Sequence, residues 1–128
     1  MIKSVIALLG GFAIMTFSLL IATVIAGVVL GLQPGVLSTQ FLATVLTCGV
    51  LAAGFGGYST AALAPNRHFA HVLILAAMVL LMAVSSLLKP QPGQPLWYLA
   101  TALALQPLSV IAGGGTRVLR KARARTQQ

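Results

Sequence analysis

The chain of 128 residues contains no aspartate, no glutamate, a single cysteine and only 6% charged residues. Without Asp or Glu there is no carboxylate for acid–base work inside an apolar span, and no hard-cation cage. None of the eight Lys and Arg side chains can find an acidic side chain within the chain. The lone Cys48 excludes an internal disulfide. Soluble proteins carry charge on about a quarter of their residues, and a water-soluble helical bundle needs a polar outward face on every helix. This chain lacks the residues to make such faces, so its surface must meet lipid.

What is present is apolar: 59% of the residues are hydrophobic. Four stretches stand out, at Val5–Leu30, Phe41–Ala64, His68–Leu88 and Leu96–Thr116, and none holds an Asp, Glu, Lys or Arg. A hydrocarbon core of ~30 Å needs about 20 helical residues. Each stretch is long enough. Their continuous rather than alternating apolar character argues for helices over barrel strands. The expected fold is an all-α membrane protein, a single transmembrane domain forming a four-helix antiparallel bundle, with residues 117–128 as a basic tail. The first stretch follows Lys3 and offers Val24-Ile25-Ala26 as a cleavage-like site. Its apolar region exceeds the length of a signal-peptide core, so it is expected to remain as a span.

The separators carry turn chemistry. Gln33-Pro34-Gly35 reads as a turn, and Ser38 or Thr39 is placed to cap the second helix. Pro65 should close that helix at Ala64, with Asn66 capping the third. Three prolines between Lys89 and Pro95 forbid a continuing helix. Short connections make consecutive helices the expected antiparallel neighbours. Basic residues near helix ends set orientation: Lys3, Arg67 and the five tail cations share one side, against Lys89 alone on the other. Both termini are therefore expected on the cytoplasmic side, with Trp97 and Tyr98 at the outer interface.

Five of the eight cations, Arg117, Arg120, Lys121, Arg123 and Arg125, directly follow an apolar run. That placement points to anionic lipid headgroups, each basic residue contributing about 1 kcal/mol near the surface, and away from nucleic acid. In the second helix Gly49, Ala53, Gly57 and Ala61 repeat every four residues, beside a second row of Ala52, Gly56, Thr60 and Ala64. The first helix offers Thr23, Gly27 and Gly31. Small residues at this spacing let helices approach closely in lipid. They serve either to pack the chain's own helices or to join a homo-oligomer or larger membrane complex.

Gln106-Pro107 lies midway along the fourth helix. Proline there frees the carbonyl near Leu103 and favours a kink. Gln106, expensive to leave unpaired in hydrocarbon, is either an interhelical tie to Thr44, Thr47, Ser85 or Thr16, or the lining of a polar path. His68 and His71 share a helix face, yet with no carboxylate and one distant thiol they cannot complete a four-ligand metal site. No cofactor is expected. With short loops and no base beside any Ser or Cys, neither is enzymatic activity.

The stretch Gly-Gly-Tyr-Ser-Thr-Ala-Ala-Leu-Ala-Pro at 56–65, followed by His71-Val-Leu-Ile-Leu, resembles a family of small bacterial four-helix membrane proteins of uncharacterised activity. Pro107, Gly113-Gly114-Gly115 and Arg117 fit the family's last helix. The resemblance runs from Gly56 onward and implies a bacterial inner-membrane location without implying a reaction. Ala62 stands where many members carry Arg, and the first loop lacks their acidic residues. Small multidrug transporters share this length but depend on an embedded glutamate. Double-barrelled fluoride channels have a Gly-Arg-Tyr start that this chain does not. The leading expectation is an accessory, structural or self-associating membrane subunit; the alternative is a small oligomeric transporter or channel for a neutral solute or anion.

Overall fold

A computed structural model describes residues 2–31, 38–64, 68–90 and 92–127. Among them the chain forms four α-helices: α1 (Ile2–Val29), α2 (Thr39–Leu63), α3 (His68–Leu88) and α4 (Leu96–Thr126). All four are long and apolar enough to cross a membrane, and the chain is a multi-pass, all-α membrane bundle.

The helix ends follow from local chemistry. Gly31 takes φ +60° just past α1, the left-handed turn that glycine adopts at little cost and that ends helices. Ser38 caps α2, its hydroxyl accepting from the Phe41 amide at 3.1 Å. Ala64 leaves α2 at φ −67°, ψ 127°, the extended conformation that a following proline favours. Pro95 precedes α4 without a side-chain cap. The expected Gln33-Pro34-Gly35 turn and the Asn66 cap fall outside the described residues. Helix α4 does not stop at Thr116 but runs to Thr126, and it passes through Pro107 without interruption. Beyond the apolar span Ala, Arg, Lys and Leu are strong helix formers, so nothing ends the helix where the hydrophobicity ends.

The helices form a ring in the order α1, α2, α4, α3, with α2 and α3 touching across the diagonal. Consecutive helices are neighbours throughout, as expected, although α2 and α3 touch less than the other two pairs. For α2 the principal partner is α4. These two run parallel: Gly49 meets Gln106, Gly54 meets Gly113 and Tyr58 meets Arg117, residue numbers rising together. The reason is steric. A Cβ on Gly57 would collide with the Val110 carbonyl, and one on Gly113 with the Gly54 carbonyl, so the two backbones touch directly. Such an approach forfeits no side-chain entropy and maximises van der Waals contact, the main driving force between helices in lipid.

On its other flank α2 meets α1. A Cβ on Gly11 would overlap the Thr60 hydroxyl, and one on Gly56 would stand 2.7 Å from the Met15 Cβ. The buried cluster of Ala53, Ala61, Val72, Leu75, Ala76, Val79 and Val110 fills the space between α2, α3 and α4. Outside it, large apolar side chains such as Phe17, Leu51, Phe55 and Leu81 are exposed, as lipid-facing surface should be.

Candidate functional site

The two small-residue rows of α2 have separate destinations. Gly49 and Gly57 face α4, while Ala53 and Ala61 lie in the core cluster. Gly56 and Thr60 face α1. Thr60 is wholly buried and satisfies its hydroxyl on the Gly56 carbonyl at 2.9 Å. Gly27 and Gly31 lie elsewhere: nothing stands within 4 Å of a Cβ at either position. The α1 glycines at the α2 interface are Gly10 and Gly11, and the small residues of α4 that meet α2 are Ser109 and Gly113, while Gly114 meets Val72 of α3. Their signal was present in the sequence as Ser109 and Gly113 four apart within an apolar helix.

Gln106 is partly buried and its amide nitrogen lies 3.0 Å from where a Cβ on Gly49 would stand. It makes no hydrogen bond among the described residues. The expected partners are engaged otherwise: Thr16, Thr44, Thr47 and Ser85 each donate to the carbonyl four residues back in their own helix. Deep in the span, α2 and α4 are tied by Ser109, whose hydroxyl donates to the Val50 carbonyl at 2.6 Å. Gln106 instead lines a cavity of about 300 Å³ with Phe12, Met15 and Leu19 of α1, Met82 of α3, and Tyr98 of α4. Pro107, next to it, sits within the continuous helix.

At the opposite end of the bundle α4 carries all five clustered cations on a helix. Arg117 donates to the Tyr58 hydroxyl at 3.3 Å, and its guanidinium carbon lies 5.5 Å from the Tyr58 ring centre, within cation–π range. One turn on, the Lys121 ammonium lies 2.9 Å from His68 Nε2 at the start of α3. An ammonium only donates, so Nε2 accepts and the ring proton belongs on Nδ1. Val118, Lys121, Ala122 and Arg125 share one face of α4 and, with His68, line a second cavity of about 180 Å³. Arg120 and Arg123 do not line it, and all five cations are exposed. Neither Tyr58 nor His68 was legible beforehand as a residue on which this helix rests. A signal was available only in the likeness of helix lengths, which places the end of α2 and the start of α3 at one level.

Among the described residues no group of three or more His, Cys, Asp and Glu side chains is placed to hold a metal ion. Cys48 is a free, partly buried thiol on α2. No protein-family model, curated protein or solved structure matches the chain.

Proposed function

We propose that this chain is a non-enzymatic accessory or structural subunit of the bacterial inner membrane, with both termini cytoplasmic and its basic helix lying against anionic lipid. The observation that carries this reading is the cationic stretch of α4. It is no loose tail but the continuation of a membrane helix, braced on α2 through Tyr58 and on α3 through His68. A braced helix holds five positive charges at a fixed height and orientation, which suits docking to a surface or to a larger complex. The excess of Lys and Arg on one side supports the orientation. The likeness of residues 56–65 to small bacterial inner-membrane proteins supports the location. The test is purification from native membranes in mild detergent. Recovery in one larger complex at fixed stoichiometry is expected; recovery as a lone chain overturns the accessory role.

A second reading is favoured by one observation, the cavity beside Gln106. A path for a neutral solute would use that unpaired amide as its polar contact, in an oligomer or alone. Under this reading Gln106→Leu, reconstituted in vesicles, abolishes a solute flux that the wild type supports. Equal flux in both eliminates it.

A further inference from the structure

We infer that His68, Lys121 and Arg125 form a phosphate-binding pocket at the junction of α3 and α4. Three independent observations meet there. Lys121 and Arg125 line the same small cavity, although like charges repel and no acidic side chain exists in the chain to relieve them. His68 Nδ1 is buried and has no hydrogen-bond partner; with Nε2 taken by Lys121, it is a stranded donor. His68 also opens α3, so the positive end of that helix dipole adds to the same field. Two cations, a buried N–H and a helix start all lack the same thing, an oxyanion with several acceptor oxygens.

Phosphate fits better than a carboxylate. The donors at the opening differ in kind, a mobile ammonium and a planar guanidinium fork beside a helix start, and together suit a tetrahedral group with three or more acceptors. Val118 and Ala122 supply apolar wall between the cations. The phosphate is that of an anionic lipid headgroup or of a soluble phosphate reaching the same opening. Arg117, one turn before Lys121, does not line the pocket and is engaged with Tyr58 instead.

This inference rests on the proposed placement of the basic helix at the membrane surface, and charge-matched variants separate the two. The full chain is reconstituted in phosphatidylcholine nanodiscs, and the His68 ring NMR signals are followed while phosphatidylglycerol is included or inorganic phosphate is titrated. The wild-type signals should move with one probe or both. Movement with phosphatidylglycerol alone identifies a lipid phosphate, and movement with inorganic phosphate identifies a soluble one. Lys121→Gln and Arg125→Gln should each weaken that response by about tenfold, the loss of one charge-assisted hydrogen bond. Arg120→Gln and Arg123→Gln remove the same charge outside the pocket and should leave it within about twofold, as expected of an exposed charge. Equal losses in all four variants overturn the pocket and leave only general attraction of the basic helix to lipid. Silence of the wild type toward both probes overturns it as well.

Discussion

Individual glycines have opposite meanings in this chain, depending on what faces them. At Gly57 an added methyl would meet the Val110 backbone, which has no side chain to move aside. Gly57→Ala is therefore expected to lower stability by about 1–3 kcal/mol, the usual cost of overpacking, read as a drop in Tm in detergent. At Gly27 a methyl would meet nothing within 4 Å. Gly27→Ala should leave Tm unchanged or raise it, since alanine is favoured over glycine in a helix by up to ~1 kcal/mol. The reverse ranking would place Gly27 at a packed interface and contradict the close α2–α4 contact at Gly57. Ser109 belongs to the same scale. Ser109→Ala loses one interhelical hydrogen bond, for which membrane proteins show about 0.6 kcal/mol on average. Its effect in the same melting assay should be smaller than that of Gly57→Ala.

Helix α4 combines two roles in one unbroken element, a span and a charged extension. Because it passes through Pro107, that residue forgoes one backbone hydrogen bond without ending the helix. Pro107→Ala should restore the bond to the Leu103 carbonyl and raise Tm. A fall in Tm would show that packing around the ring outweighs the missing bond. Removing residues 117–128 should weaken binding to anionic vesicles, and the difference should shrink as salt is added. Vesicle co-flotation at two ionic strengths reads this directly. The elements themselves were legible from hydropathy because a span has to be apolar for about 20 residues. The end of α3 and the start of α4 fall where that expectation put them. The far end of α4 was not legible in this way, since hydropathy reports depth in lipid while helicity depends on backbone propensity. Gln106 was legible as a polar residue in an apolar helix, but its place on a cavity without a hydrogen-bond partner among the described residues was not. Threonine and serine hydroxyls in helices turn back to their own carbonyls, and sequence spacing does not reveal which ones remain available.

For the molecule as a whole, lipid-exposed apolar surface lies outside, a tight core lies between α2, α3 and α4, and a cavity remains beside Gln106. The proposed orientation is checked by cysteine labelling in a Cys48→Ser background. Gln94→Cys should react with an impermeant maleimide added to intact cells, and Ala124→Cys only after the cells are opened. Labelling of Ala124→Cys from outside would invert the topology. The four spans follow from composition, but the ring order does not: connectivity suggests that α2 should rest on α3, and only the paired glycines of α2 and α4 override it. That parallel pairing sets a timetable for biogenesis. Helix α2 is synthesised well before α4, so its glycine-lined flank must wait in the bilayer, exposed to lipid, until the last span leaves the ribosome. Assembly is completed from the C-terminal end, and a ribosome that stalls after α3 releases a chain whose tightest contact has no counterpart.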